Sequence, residues 1–353
     1  MIMAEVSQFD DIAVDSVEHI ERWMDRAGLG SGPLEDMTTI GGGTQNILLR
    51  FSRSGRGYVL RRPPAHKRRN SDETMLREAK VLAALAGSDV PHPDLIAVCG
   101  DLEVIGSAFY LMEPIDGFNP SVEIPDRYLA DASTQRLLGF AVLDGLLALG
   151  RVRPAEVGLA DLGRPDGWLE RQVSRWQRQL AGYSESAAYS PDILPWVTEV
   201  GRWLAERGPR QHRMGLIHGD FHFANVLMDR DRPELAAIVD WELTTQGDPL
   251  LDFGHLLATW PQPENAAAVL PAVALPVLPS DQDLIEVYLR RSGRVYEDIV
   301  WFRVLACFRL AIILEGTYVR GLAGQTSRKT GMEAHQRAGA LLDQAMNLLG
   351  KRA

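Results

Sequence analysis

The segment Leu216–Asp252, LIHGDFHFANVLMDRDRPELAAIVDWELTTQGDPLLD, holds three polar residues whose types and spacing indicate one kind of chemistry. Asp220 follows a short apolar run, Asn225 comes five residues later, and Asp240 ends the apolar run 235–239. A carboxylate that orients a hydroxyl, together with an amide and a second carboxylate that bind magnesium, is the set needed for phosphoryl transfer from a nucleotide. The segment therefore predicts a small-molecule kinase.

The local structure of this segment is predicted from its apolar runs and turn residues. Strands are expected at 216–217, 226–228 and 236–239, with an irregular loop over 218–225. This order is expected to bring the three polar residues to one edge. A zinc site at His218 and His222 would need a helix, which Gly219 and the flanking strands oppose. The Gly-x-Ser-x-Gly motif of serine hydrolases does not occur.

Composition narrows the class of protein. The 353 residues are enough for two lobes, and 46% hydrophobic with 24% charged residues is ordinary for a globular protein. A net charge of −10 argues against a nucleic-acid partner, which usually meets a basic face. The two cysteines are far apart in the sequence, as in a reduced cytoplasmic protein. The N-terminus has no basic and apolar leader, and no apolar tract is long enough to span a bilayer. We therefore expect a cytoplasmic protein without a membrane partner.

A helix is predicted over Val14–Leu29, followed by three strands that glycine-containing turns separate, and then by a second helix. The turn at 41–46 could bring backbone N–H groups close to a phosphate, and the candidate nucleotide-binding residues there are Gly42, Gly43, Thr44 and Asn46. Helix Asn70–Ala86 carries Glu78 at the edge of its apolar face, where an acid needs a partner. Arg61, at the end of the preceding strand, is the predicted partner.

A change from strand-like to helical composition follows Met112 and predicts a hinge. Pro114 has no N–H, so an adenine would bond to the Glu113 carbonyl and the Ile115 N–H. We predict an N-terminal nucleotide-binding lobe over 1–113 and a larger, mainly helical catalytic and substrate-binding lobe over 114–353. A helix over 296–320 has charged residues among aromatic ones, and most of those charges are expected to be paired or solvated: Arg303, Arg309 and Glu315.

The same residues carry a resemblance to a known family. Leu216–Leu227 resembles the H-G-D-x-H-x-x-N motif of the aminoglycoside phosphotransferase family, a branch of the protein-kinase-like fold. IVDWE at Ile238–Glu242 resembles its magnesium-binding aspartate motif, and GDPLLDFG its downstream segment. The resemblance covers roughly residues 40–318. VLRRPP and LEGTYVRG resemble the branch that includes kinase-like domains fused to acyl-CoA dehydrogenases more than they resemble the antibiotic-resistance enzymes.

This resemblance implies a two-lobed α+β fold of the protein-kinase type, with an antiparallel sheet in the first lobe. It implies transfer of the γ-phosphate of ATP (or GTP), with Mg²⁺, to a hydroxyl of a small molecule. Asp220 is implied as the catalytic base, Asn225 and Asp240 as magnesium ligands, and Glu78 as the partner of a phosphate-binding cation. That cation is generally a lysine in the family and is Arg61 in this chain, which changes its reach and angle.

Two alternatives remain open at this stage. A non-catalytic kinase-like module that binds a nucleotide or another ligand is favoured by Arg61. An aminoglycoside-resistance enzyme would need several convergent acids for its polycationic substrate, whereas residues 331–349 offer Glu333 and Asp343.

Overall fold

The computed structural model describes residues 14–41, 46–64, 67, 69–185, 189–190, 193–210, 212–261 and 275–350. Their contacts divide the chain into two compact units. The first unit comprises the residues up to Ser88 together with His92–Asp116 and Val239–Glu242, and the second comprises the rest. The segment Val239–Glu242 therefore joins the first unit, although it follows more than a hundred residues of the second.

The first unit is built on a five-stranded antiparallel sheet in the order β1-β2-β3-β5-β4. Its strands are β1 (Glu35–Ile40), β2 (Ile47–Arg53), β3 (Arg56–Arg62), β4 (Leu95–Cys99) and β5 (Phe109–Met112). Ser54 and Gly55 form the two-residue turn between β2 and β3, and both have positive φ angles, of 50° and 77°. Tight hairpin turns require this conformation, which glycine adopts without steric cost.

Two helices pack on the sheet, and alternate residues of a strand face different helices. The helices are α1 (Val14–Arg26) and α2 (Ser71–Leu85). Leu60 of β3 lies in an apolar core with Met24 of α1, whereas Arg61, the next residue, contacts Glu78 of α2. The two-residue period of the strand thus directs an apolar side chain to one helix and a charged one to the other.

Helix α2 matches the helix predicted over Asn70–Ala86 to within one residue at each end. Asn70 occupies the position before the helix, and its side chain makes no capping hydrogen bond. Asp72, in the first turn, accepts a hydrogen bond from the Ala108 backbone N–H at 2.9 Å. The negative charge at the helix start is favourable for the helix dipole, and the bond ties α2 to the start of β5.

The second unit is mainly helical. Its helices are α3 (Asp126–Leu129), α4 (Ala132–Leu149), α5 (Trp168–Tyr183), α6 (Val197–Glu206), α7 (Leu250–Ala258), α8 (Asp281–Ser292), α9 (Tyr296–Leu322) and α10 (Arg328–Leu348). Helix α9 is central, because α5, α6, α7, α8 and α10 all pack against it. A Cβ at Gly254 of α7 would lie 2.5 Å from the carbonyl oxygen of Phe302 of α9. Glycine therefore allows the two helices to approach at backbone level.

Short strands of the second unit frame the segment Leu216–Asp252. β7 (Gly215–Ile217) pairs with β10 (Thr245–Gly247), and β8 (Val226–Asp229) pairs with both β6 (Gly117–Phe118) and β9 (Leu235–Ile238). The strands predicted at 216–217, 226–228 and 236–239 are present. β6 and β10 were not predicted.

The described helices include none that is both long and apolar enough to cross a membrane. Cys99 and Cys307 are both free thiols and both buried. Burial raises the pKa of the Cys307 thiol to about 12.

Candidate active site

Residues 218–225, between β7 and β8, form a loop that we name the Asp220 loop. Gly219 has a φ of +86°, and a Cβ there would lie 2.5 Å from the Leu243 carbonyl oxygen. The position thus requires glycine for both conformation and space. Phe223–Asn225 form one turn of 3-10 helix, and Nδ1 of His222 caps it by accepting a hydrogen bond from the Ala224 N–H at 3.2 Å.

Asp252 of α7 holds the start of this loop. Its carboxylate accepts hydrogen bonds from the backbone N–H groups of His218 at 2.6 Å and Gly219 at 2.9 Å. The side chain has no exposed surface, and burial raises the pKa of Asp252 above its ordinary value. These two bonds brace the loop that carries Asp220.

Asp220 lies between two imidazole rings. Nε2 of His222 is 3.4 Å from one of its carboxylate oxygens, and Nε2 of His255 is 3.7 Å from the other. Burial alone would raise the pKa of Asp220, but the hydrogen bond from His222, the charge interactions with His255 and His222 and, last, the charge of Arg309 hold it well below its usual range. The side chain is 34% exposed. Asp220 is therefore an ionised, accessible carboxylate that can accept a hydrogen bond from a bound hydroxyl.

Asn225 is tied to Asp220 within the loop. Its side-chain NH₂ donates to the Asp220 backbone carbonyl at 2.8 Å and to an Asp220 carboxylate oxygen at 3.2 Å. Both bonds use the amide nitrogen, so the amide oxygen is the atom suited to a cation. Magnesium prefers oxygen ligands of this kind, and the role of Asn225 as a magnesium ligand stays a prediction.

Asp220, His222 and His255 together place one ligand atom each within 4.8 Å of the others, as a metal site would. His222 argues against a metal site there, because its Nδ1 already accepts the Ala224 N–H. A neutral imidazole with that bond carries its proton on Nε2, and this nitrogen then donates to Asp220 and has no lone pair for a metal. His222 is therefore better described as a hydrogen-bonded support for Asp220, whereas Nε2 of His255, at 3.7 Å, lies beside the carboxylate without a hydrogen bond to it.

A second charged group lies within the first unit, around Arg61. Its guanidinium donates through Nη2 to Glu78 at 3.1 Å, and its Nε is 2.9 Å from the other Glu78 oxygen. Nη2 also donates to Asp240 at 2.6 Å. The Tyr110 hydroxyl donates to Glu78 at 3.0 Å. The predicted pairing of Arg61 with Glu78 is present, and Asp240 shares the same cation.

The electrostatics of this group follow from its burial. Glu78 has no exposed surface, and burial raises its pKa to about 7 against the opposing effect of Arg61. Burial alone would lower the pKa of Arg61, but Glu78, Tyr110 and Asp240 raise it above its ordinary value. Asp240 is different, because its side chain is 38% exposed. A carboxylate has about four lone-pair sites, so one bond from Arg61 leaves Asp240 able to bind magnesium.

The remaining predicted nucleotide-binding residues are less constrained. The Asn46 side-chain amide donates to Glu242 at 3.4 Å. The Glu113 N–H donates to the Asp94 carbonyl at 2.9 Å, and its carboxylate is 3.3 Å from Arg56. Contact of adenine with the Glu113 carbonyl and the Ile115 N–H stays a prediction. Gly42, Gly43 and Thr44 lie outside the described residues.

The structure thus brings the predicted residues together in two groups: Asp220 with Asn225 in the second unit, and Arg61 with Glu78 and Asp240 in the first. Sequence reasoning missed His255, which carries no motif of its own. It also missed the position of Arg309, whose guanidinium donates to the Gly219 carbonyl. The one available signal was a charged residue among the aromatic side chains of a long helix.

Comparison with known proteins shows similarity to phosphotransferases and to part of an acyl-CoA dehydrogenase family member. A family model described as "Phosphotransferase enzyme family" matches residues 36–277. Acyl-CoA dehydrogenase family member 11 of Gallus gallus is 29% identical over 320 residues, which are 87% of this chain and 39% of that protein. The chain therefore spans about two fifths of the length of this curated relative.

Solved structures show the same fold. A candidate aminoglycoside phosphotransferase from Ralstonia eutropha has a TM-score of 0.75 and 28% identity, with 94% of this chain and 98% of that chain covered. A thermostable mutant of aminoglycoside phosphotransferase APH(4)-Ia, in a ternary complex with AMP-PNP and hygromycin B, has a TM-score of 0.61 and 15% identity over 94% and 98%. The predicted kinase-like fold, with an antiparallel sheet lobe and a mainly helical lobe, is confirmed.

Proposed function

Because this chain belongs to the phosphotransferase enzyme family, we propose that it transfers the γ-phosphate of ATP or GTP to a hydroxyl of a small molecule. The observation that carries the proposal is the state of Asp220. Its carboxylate is ionised, 34% exposed and supported by His222 and Asn225. A carboxylate of this kind at the motif position is what transfer to a hydroxyl requires.

Asp220 has two tasks in the proposed reaction. Its carboxylate accepts a hydrogen bond from the acceptor hydroxyl and so aims the oxygen at the phosphorus. The new bond joins that oxygen to the γ-phosphorus, the bond from the γ-phosphorus to the β–γ bridging oxygen breaks, and the hydroxyl proton passes to Asp220. Since the pKa of Asp220 is held low, the proton moves late, and orientation is the larger contribution of Asp220.

Asn225 and Asp240 are the proposed magnesium ligands, through the amide oxygen and a carboxylate oxygen. Magnesium, when bound, neutralises the charge that develops between the transferring phosphates. Asn225 is prepared for this role because Asp220 holds its NH₂ group. Asp240 is prepared because Arg61 holds one carboxylate oxygen.

The proposed nucleotide contacts lie in the first unit. Arg61, positioned by Glu78, would clamp phosphate oxygens, as a guanidinium does well. Asn46 and the glycine-rich turn at Gly42, Gly43 and Thr44 would cover the phosphates. Glu113 and Ile115 would contact the base through their backbone. The ternary complex of the structural neighbour contains an ATP analogue, which supports a nucleotide as the donor.

The test is a nucleotide-consumption screen with Mg²⁺ over hydroxylated compounds, including hydroxyacyl compounds, sugars and aminoglycosides. Once an acceptor is found, Asp220→Ala should lower turnover by about 10²–10⁴-fold, the usual contribution of a positioned base. Binding of the nucleotide should be nearly unchanged. Asp231→Ala is the matched control, because Asp231 is an exposed carboxylate of the same segment, paired with Arg127. Turnover that survives in Asp220→Ala would refute the assignment.

A non-catalytic module that binds a nucleotide or another ligand is the second candidate. The observation in its favour is the 2.6 Å contact of Arg61 with Asp240, which engages a proposed magnesium ligand with a fixed cation. Magnesium-dependent consumption of ATP or GTP with any acceptor would exclude this candidate. Tight nucleotide binding without consumption across the screen would support it.

A further inference from the structure

Arg309 of α9 is a buried cation next to the Asp220 loop. Arg309 is only 6% exposed, and its guanidinium lies 5.6 Å from the centre of the Trp176 ring. Nη2 donates a hydrogen bond to the backbone carbonyl of Gly219. Burial lowers the pKa of Arg309, while Asp220 and Asp252 act against this. The guanidinium still stays protonated at neutral pH, as arginine does in proteins.

The carbonyl of Gly219 belongs to the peptide group directly before Asp220. The N–H groups of His218 and Gly219 are bound by Asp252. The Asp220 N–H donates to Nδ1 of His218 at 3.3 Å. The backbone N–H groups of residues 218, 219 and 220 are therefore all hydrogen-bonded, and Arg309 adds a hydrogen bond to the Gly219 carbonyl.

Asp252 and Arg309, which bind the loop from distant parts of the sequence, lie on two helices whose backbones are in contact. Asp252 is on α7 and Arg309 is on α9, and Gly254 lets α7 approach α9 to a distance that excludes a Cβ. The Asp252 carboxylate on α7 thus accepts hydrogen bonds from two backbone N–H groups of the loop, and the Arg309 guanidinium on α9 donates one to a backbone carbonyl. Gly219 adopts a left-handed backbone conformation, and glycine can adopt many others. Hydrogen bonds from outside the loop are therefore needed to hold it in this conformation.

We propose that Arg309 is a positioning residue: it holds the Gly219–Asp220 peptide and thereby sets the direction of the Asp220 carboxylate. It acts through the backbone and does not touch the reacting groups. This role rests on the proposed function, because positioning matters for rate only if Asp220 orients the acceptor. A misplacement of about 1 Å by a distant residue can cost about 10²-fold in rate.

The variants are Arg309→Met, which removes the donor and the charge at similar length, and Arg309→Lys, which keeps the charge and one donor. Arg303→Met is the matched control. Arg303 is on the same helix, is also 6% exposed, and donates a hydrogen bond to Asp281 at 2.7 Å. It should lose stability in a similar way without altering the loop.

Two measurements are made on each variant of the full chain. The first is backbone hydrogen exchange of a peptide covering residues 216–225. The second is slow hydrolysis of MgATP to ADP and phosphate, with water in place of the acceptor, together with the MgATP dissociation constant. We expect faster exchange in Arg309→Met, a fall in kcat of about 100-fold, and unchanged MgATP affinity. Arg309→Lys should be intermediate, and Arg303→Met should match the wild type in both.

Exchange that is the same in Arg309→Met as in Arg303→Met would overturn the proposed hold on the loop. Faster exchange with an undiminished kcat would overturn the positioning role. A wild type that hydrolyses no MgATP and uses no acceptor would instead refute the proposed function, and the exchange comparison would still decide whether Arg309 holds the loop.

Discussion

Replacement of Arg61 by methionine should destabilise the first unit strongly. The change removes the cation and leaves Glu78, which has no exposed surface, without the partner whose nitrogens lie 2.9 and 3.1 Å from its oxygens. Breaking a buried ion pair by removing one partner costs about 3–5 kcal/mol. The bond to Asp240 adds less, because that carboxylate is 38% exposed and water can replace Arg61.

The matched control is on the same strand. Arg56 pairs with Glu113 at 3.3 Å, but both side chains are about half exposed, at 52% and 48%. Exposed pairs of this kind are worth about 0–1 kcal/mol, so Arg56→Met should change stability little. A double variant, Arg61→Met with Glu78→Leu, removes both charges and should recover most of the lost stability.

The cost of Arg61→Met should also depend on pH. Burial raises the pKa of Glu78 to about 7 even with Arg61 present, and loss of the cation moves it further up. The folded variant then binds a proton that the unfolded chain, with a pKa of about 4.3, has released. Its stability therefore falls as the pH rises from 5 to 8, and the destabilisation should be smaller at pH 5.

Unfolding in urea should be monitored through the hydrogen exchange of peptides from β3 and α2. A single spectroscopic midpoint would average the unfolding transitions of the two units. The result that would refute the reasoning is a loss in Arg61→Met no larger than in Arg56→Met. A loss that is equal at pH 5 and pH 8 would contradict the assignment of that loss to an unpaired Glu78.

Three further predictions concern the Asp220 loop. Gly219→Ala should lower stability by about 1–3 kcal/mol, because its φ is +86° and the new Cβ would meet the Leu243 carbonyl; an unchanged unfolding midpoint would contradict this. Burial lowers the pKa of His255 well below its usual value, so the unfolded chain binds more protons below pH 6.5, and stability should be lost as the pH falls from 7 to 5. His255→Gln should make that decline shallower, by at most about 1.4 kcal/mol per pH unit, in unfolding curves measured over this range. Asn225→Ala should raise the Mg²⁺ concentration needed for half-maximal turnover, whereas an unchanged Mg²⁺ dependence would remove Asn225 from the proposed metal ligands.

Local features of the chain were predictable from the order of its residues. The helix α2 and the strands of the sheet follow from periods of 3.6 and 2 residues, which depend on each segment alone. Arg61 and Glu78 could be paired in advance because they are 17 residues apart, at the end of a strand and on the apolar edge of the next helix. The motif residues Asp220, Asn225 and Asp240 and the family resemblance were equally visible.

The support around Asp220 was decided by the tertiary structure. His255 is a histidine in an apolar helix, and Arg309 is 90 residues from Gly219, to which it bonds. Neither position shows its partner in the sequence, because the partner depends on how α7 and α9 pack and on the approach that Gly254 allows. Sequence periodicity reports which face of an element is buried, and only the packing of elements determines which distant groups meet there. The sequence by itself therefore determined the chemistry of the Asp220 loop, and the helices packed behind it determined its geometry.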